Sequence, residues 1–526
     1  MNKRKIGLIA GGLCLLVVAG VFIMKMQFES KVRGDIENFL AALPAPLTAK
    51  ADKIDVSFFD KSVNLAGLKG TYTVTLRQSG KEESFPMDFS CDRVAATGVN
   101  IDGFKEGAGT AKLLNSLVFA NFALNSPLAT ASIENYTIEG VSGDFQQMLT
   151  ELAKSWPALM AANAVGDYPV NNEETQKLMG AFAGIFTAYE TVTVARSSFK
   201  NYKYSLDVEG DKVDVSMGSA EGRDYSIRKM GPLSMANLKS SLNGVPLLEM
   251  ASFSVDGMVL PSFTKMFEIL AKDANPSPFM LQMALKGQDF ALNNLRIKGL
   301  TVFHPEHKGR VLFALADSDF SYVAEAAHAV DFTFNGLNLD KQLLLQESGL
   351  PAEAFAKLPD TITLEGAVQQ EATQKDQGAV DVNAKKIFFK GTGLGEASLV
   401  FAADNINLMA MMMGSPGGAA LKNFDLSLTD GGLSDVFFAV NGLYEGESAQ
   451  DMRAEILESL KEQLELETTA AGKEILPGVI SFLEKTGGTF RIVIAPPSPA
   501  TADKLMMAFA SDPSALGLSV TFTPGN

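Results

Sequence analysis

The sequence predicts an α+β, β-rich fold: one N-terminal transmembrane helix, then long antiparallel β-sheets with inserted helices and a C-terminal α+β cap. Three observations carry this expectation. Residues 6–24 hold no charge and are almost wholly apolar. From Lys53 onward apolar residues alternate with period two, the pattern of half-buried antiparallel strands. Stretches with helical spacing interrupt the alternation and crowd the last hundred residues.

Ile6, Leu8, Leu13, Leu16, Val18, Phe22 and Met24 belong to an uncharged run close to the ~20 helical residues that cross a bilayer core. Lys3, Arg4 and Lys5 precede it. By the positive-inside rule the N-terminus is expected in the cytoplasm and the remaining chain on the far side. A cleaved signal peptide is the main alternative, with Val18-Ala19-Gly20 the nearest cleavage candidate. A lipoprotein signal fits less well because Cys14 follows Leu13, which is not small.

Composition limits the function classes. Of 526 residues, 46% are hydrophobic and 20% charged, the balance of a folded protein. Net charge is −16; setting aside Lys3, Arg4, Lys5 and Lys25 leaves 41 of the 45 basic residues against 61 acidic ones, a net −20. Such a surface argues against nucleic acid and against anionic lipid headgroups as electrostatic partners. Cys14 lies in the apolar run, so Cys91 stands alone in the remainder and no internal disulfide is expected there. A large exported protein without disulfides points to a bacterial periplasm, with residues 6–24 in the inner membrane.

Four segments follow. Residues 1–25 are the leader and anchor. Residues 26–46 form a helical stalk, with Val32, Ile36, Phe39, Leu40 and Leu43 at helical spacing and Pro44 and Pro46 ending it. Residues 47–420 form the β-rich periplasmic body, and residues 421–526 the C-terminal α+β region. A short unit recurs in the body: apolar, any, apolar, polar, Gly. It occurs as Tyr136-Thr-Ile-Glu-Gly140, Phe253-Ser-Val-Asp-Gly257, Leu295-Arg-Ile-Lys-Gly299 and Phe332-Thr-Phe-Asn-Gly336, and in degraded form ending at Gly391. Each Gly is expected to supply the positive-φ turn that ends a strand. Helices are expected over 144–162, 173–189, 262–271, 341–348, 448–468, 474–485 and 501–511. The one at 474–485 should break at Pro477-Gly478. The segments 489–494 and 518–522 have strand patterns that can pair.

No catalytic, cofactor or metal residues emerge. His304-Pro-Glu-His307 lacks the helix-borne H-E-x-x-H spacing, and Pro305 breaks any local helix. His328 and Cys91 read as structural. There is no G-x-S-x-G elbow and no phosphate loop; Gly414-Ser-Pro-Gly-Gly418 reads as a turn. Met409, Met411, Met412 and Met413 form a greasy segment that could contact a lipid or a partner, or simply fill a core.

The basic start, apolar run and stalk, followed by "IDVSFFDKSVNLAGLKGTYTVTL" at 54–76, resemble AsmA-like envelope proteins. Length, strand-Gly units and intervening helices also resemble the YdgA-like family, with "FDLSLTDGGL" at 424–433 a weaker similarity. The resemblance implies long antiparallel sheets with an apolar groove, tied to lipid movement or envelope maintenance, and no catalytic residues. The helices after residue 144 depart from it. The expectation is therefore a non-catalytic envelope protein, anchored in the inner membrane, with a lipid ligand or an envelope protein partner. A protein-interaction scaffold is the alternative and an envelope hydrolase the third reading.

Overall fold

A computed structural model describes residues 29–525 apart from short segments, the longer ones being 165–171, 278–289, 349–354 and 407–417. An α+β, β-rich architecture with extensive antiparallel sheet is present. The membrane expectation is corrected: no described helix is long and apolar enough to cross a membrane. The residues on which it rested, Ile6, Leu8, Leu13, Leu16, Val18, Phe22 and Met24, lie outside the described residues. Single-pass inner-membrane placement, and the membrane as a partner through residues 6–24, are accordingly set aside.

Two compact units divide the chain: Met1–Pro246 with Ser252–Phe290, and Leu247–Ala251 with Ala291–Asn526. In the first, helix α1 (Glu29–Ala41) packs on β1 (Leu47–Lys50) and β2 (Lys53–Ser57). Both strands pair with β3 (Ser62–Gln78), which opens an antiparallel meander. It continues through β4 (Lys81–Thr97), β5 (Ala111–Asn125), β6 (Ala129–Gly143), β7 (Thr193–Val208) and β8 (Asp211–Ser226). After β9 (Lys229–Met230), β10 (Leu233–Leu242) pairs with β8; β11 (Val245–Val255), whose Leu247–Ala251 belong to the second unit, and β12 (Gly257–Val259) follow. Helices α2 (Phe145–Ala164) and α3 (Asn172–Tyr189) connect β6 to β7, and α4 (Phe263–Lys272) packs on α3.

The core of this unit lies between α1, α2 and strands β1–β6. Ile36 is fully buried and Leu40 is 6% exposed, so α1 seats its apolar stripe against Leu47, Ile54 and Leu65. Phe186 packs on Phe267 of α4 with ring centroids 4.9 Å apart. Ser262 and Thr264 donate their hydroxyls to Glu190 at 2.7 and 3.1 Å, which ties the start of α4 to the end of α3.

In the second unit β13 (Phe290–Phe303) is followed by a meander of six strands. These are β14 (Val311–Ala324), β15 (Ala327–Asp340), β16 (Thr361–Gln374), β17 (Val380–Gly391), β18 (Gly395–Ile406) and β19 (Ala420–Asp430). Helix α5 (Lys341–Ser348) connects β15 to β16. Helices α6 (Leu433–Glu445), α7 (Ala449–Leu466) and α8 (Ala470–Glu484) precede β20 (Thr489–Ile494). Then come β21 (Ala500–Thr501), α9 (Ala502–Ser511) and β22 (Ser519–Thr523). Strand β20 pairs with both β19 and β22, so the expected pairing of 489–494 with the final strand is present. Ser448 caps α7, its hydroxyl accepting the Asp451 N–H at 3.1 Å. Helix α8 runs unbroken through Pro477, which leaves the Lys473 carbonyl without its usual helical donor.

The recurring Gly unit differs from expectation in an informative way. Gly140, Gly299 and Gly336 sit inside β6, β13 and β15, at φ of 62°, 59° and 61°. Asparagine takes the same left-handed backbone at Asn121 in β5, Asn201 in β7, Asn237 in β10 and Asn294 in β13. A left-handed residue rotates the next peptide and removes one step from the alternation, so the residues two before and one after it share a face. Around Gly67 (φ 62°), Leu65 and Leu68 are 1% and 3% exposed, both on the core side. Around Asn121, buried Phe119 and neighbouring Phe122 belong to that same core. These strands reach 17 residues, far beyond the usual 5 or 6, and the phase slips let one apolar face continue along them.

Candidate functional site

Strand register in the second unit lines up one apolar side chain per strand. Phe320 faces Phe332, which faces Val368, then Ile387, Leu399, Leu426, Ile492 and Val520. Directly opposed residues share a sheet face, so these eight form one row across β14–β20 and β22. At about 4.8 Å per strand the row spans roughly 34 Å. A second row on the same face runs Phe334, Gly366, Phe389, Ala397, Leu428, Phe490, Phe522. A third runs Tyr322, Val330, Gln370, Ala384, Phe401, Phe424, Ile494.

Its cover is uneven. At one end α8 and α9 pack on β20–β22. Ala471 and Ile475 meet Ile492, Ile494 and Val520 there, and Gly478 lets α8 approach Phe490 and Val520. At the other end Phe320, Phe332, Val368, Ile387 and Leu399 are only half-buried, and Phe389 is 41% exposed. Among the described residues no helix packs comparably on β14, β16, β17 or β18.

The opposite face is polar. One residue along each strand the row reads Asp319, Thr333, Ala367, Phe388, Ser398, Ser427, Arg491, Thr521. Arg296 donates to Asp319 at 2.9 Å, and Arg491 grips Asp425 through two bonds of 2.9 and 2.7 Å. The Arg491 guanidinium holds the Asp425 carboxyl below the usual carboxylate range. Even Phe388 carries a cation, with the Lys386 ammonium 5.1 Å from its ring centre.

The first unit repeats this two-sidedness. Phe119, Tyr136, Phe199, Ala220 and Met235 oppose one another across β5–β8 and β10. Phe119 is buried, whereas Tyr136, Phe199 and Met235 are half-exposed. Burial pushes the Tyr202 and Tyr204 phenols up, so both hydroxyls stay protonated at neutral pH. On the polar side Arg196 and Arg223 both donate to Glu221, at 2.9 and 2.6 Å, and hold its carboxyl low.

His304, His328 and Cys91 each make local contacts. His304 is buried and accepts the His307 N–H at Nδ1 at 3.0 Å, which closes a turn. No group of three or more metal-ligating side chains occurs among the described residues. The His328 Nδ1 lies 2.9 Å from the Tyr322 hydroxyl. Cys91 is buried with its thiol 3.2 Å from the Arg93 and Ala120 carbonyls. Met409, Met411, Met412 and Met413 lie outside the described residues.

Asp430 is the most buried carboxylate described, at 3% exposure. It accepts the Gly432 and Ser434 N–H groups at 3.0 and 3.1 Å and the Ser434 hydroxyl at 2.5 Å. Burial acts to raise its pKa, but these donors outweigh it and the carboxyl stays low. Arg453 reaches Ser434 and Asp435 and stacks on Phe438. The arrangement caps the start of α6, with the Ser434 hydroxyl donating its hydrogen bond to the Asp430 carboxylate.

A family model described as an uncharacterized protein matches residues 388–523, about a quarter of the chain. No curated protein and no solved structure matches. The expected AsmA-like or YdgA-like resemblance is therefore corrected: the family match is to an uncharacterized protein, and no described helix supplies the membrane anchor that resemblance implied.

Proposed function

We propose that the chain binds the acyl chains of a lipid along the apolar face of its sheets, without catalysing a reaction on it. The row from Phe320 to Val520 carries this reading, because the protein's own helices cover one end and leave the other half-exposed. A contiguous apolar surface in water is costly and calls for a partner. The half-exposed part of the row, Phe320 to Leu399, spans about 19 Å over four strand spacings, close to the ~15 Å half-thickness of a bilayer core, so an extended acyl chain matches it in length and chemistry. The acidic surface favours neutral or zwitterionic headgroups over anionic ones.

The test is purification of the chain from cells, organic extraction and mass spectrometry, with binding of a fluorescent fatty acid measured in parallel. Ile387→Glu and Leu399→Glu each place a charge in the middle of the row. Both should abolish the bound lipid while circular dichroism stays unchanged. Absence of acyl lipid and of probe binding in the unaltered chain would sink the proposal.

A further inference from the structure

Helix α6 is apolar on two sides. Ser434, Phe438 and Gly442 are buried, and Gly442 lets the chain turn tightly, since a Cβ there would stand 2.8 Å from the Glu447 carbonyl. Leu433, Phe437 and Tyr444 fall within about 40° of one another on the helix, well away from that buried side. They are 55%, 49% and 78% exposed, an unusual outlay of large apolar side chains on one short helix. Immediately after Tyr444 the chain turns into α7 through an acidic cluster. Glu445, Glu447, Asp451 and Glu455 converge there, and no described cation pairs with any of them. Glu455 facing Glu447 pushes the Glu447 carboxyl above the usual range, with Asp451 and Glu445 adding to the repulsion.

We infer that the outward face of α6, with the carboxylates of the α6–α7 turn, is a docking surface for a basic segment of a partner protein that also offers apolar anchors. Charge complementarity selects this occupant. An apolar peptide alone gains nothing from the carboxylates, and an anionic one is repelled. A Lys/Arg-bearing amphipathic segment covers Leu433, Phe437 and Tyr444 while relieving the crowded charge. The surface shares no residue with the rows assigned to lipid, so either proposal can fail alone.

The probe is a fluorescent amphipathic peptide of leucine and lysine at helical spacing, titrated with the full chain and read by anisotropy. A matched peptide with glutamate for lysine is the control. The lysine peptide should bind and the glutamate peptide should not. Phe437→Ser combined with Tyr444→Ser should weaken binding about tenfold or more. Glu447→Gln with Glu455→Gln should weaken it and flatten its salt dependence. All four positions are surface sites, and circular dichroism checks that the fold is kept. Equal affinity for the two peptides, or no effect of the serine pair, overturns the inference. So does concentration-dependent self-association lost in the serine pair, which would assign the face to a second copy. Binding of neutral vesicles lost in that pair would assign it to lipid instead.

Discussion

Replacing Gly336 with alanine probes the device that keeps these long strands two-sided. Gly336 holds φ at 61°, which costs an ordinary L-residue about 1–2 kcal/mol. A Cβ at this position would stand 2.8 Å from the Ala316 Cβ on the neighbouring strand, closer than two methyl groups allow. Both strands can yield somewhat, so this overpacking adds about 1 kcal/mol, near the lower limit for such changes. The expected loss for Gly336→Ala is then about 2–3 kcal/mol. The two contributions separate in a double-mutant cycle. Ala316→Gly removes the opposing methyl and on its own costs about 0.5–1 kcal/mol. In the double variant the backbone cost remains and the clash disappears, so the cycle should return a favourable coupling of about 1 kcal/mol. Urea unfolding followed by far-UV circular dichroism supplies the free energies from the transition of the unit that holds Gly336. Strict additivity would show that the Gly336–Ala316 approach carries no energy. A near-neutral Gly336→Ala would refute the left-handed requirement itself. The same approach recurs at Gly140 against Ala195 and Gly299 against Ala251, 2.7 and 2.9 Å away, so the result can be checked twice more.

Further outcomes follow from the same geometry. Asn121→Gly should change stability by only a few tenths of a kcal/mol, whereas Asn121→Val, β-branched at φ 51°, should cost more than 1 kcal/mol in the same urea assay. Phe438→Ala empties a side chain that is 1% exposed and should cost about 3–5 kcal/mol, read as a lower melting temperature. Asp425 has a depressed folded-state pKa, so its ion pair with Arg491 contributes fully above the unfolded carboxylate value near ~3.9 and is lost as pH falls through the folded value. Asp425→Asn should therefore lower stability at pH 7 by under about 1 kcal/mol, since Arg491 is half-exposed, and the difference should shrink as pH falls through the depressed folded value.

Local pattern and chain neighbourhood made much of the architecture legible. Period-two runs marked the strands, and helix signals marked 173–189, 341–348 and 448–468, where α3, α5 and α7 lie. These signals are local, because a strand's alternation and a helix's cap depend on residues a few positions apart. The expectation of a transmembrane helix rested on hydropathy alone, and no described helix supports it. Gly140, Gly299 and Gly336 were visible as a recurring unit, but read as turns rather than phase slips. Asn121, Asn201, Asn237 and Asn294 do the same work with a different residue, so no repeated glycine pointed to them. The shared signal, an apolar residue two before and one after Gly or Asn, becomes readable once the backbone angle is known.

Which side chains become neighbours was a different kind of question. Phe320 and Val520 lie 200 positions apart, and they join one row only because seven successive pairings hold register. A slip of one residue in any of them would send every later member to the polar face. The sequence by itself therefore determined that strands with one apolar side would form. Tertiary structure alone decided that those sides align into one surface, that α8 and α9 cover one end of it, and that α6 turns Phe437 and Tyr444 outward beside a knot of carboxylates. The physical reason is that alternation is a property of one strand, whereas register and cover are properties of contacts between distant ones.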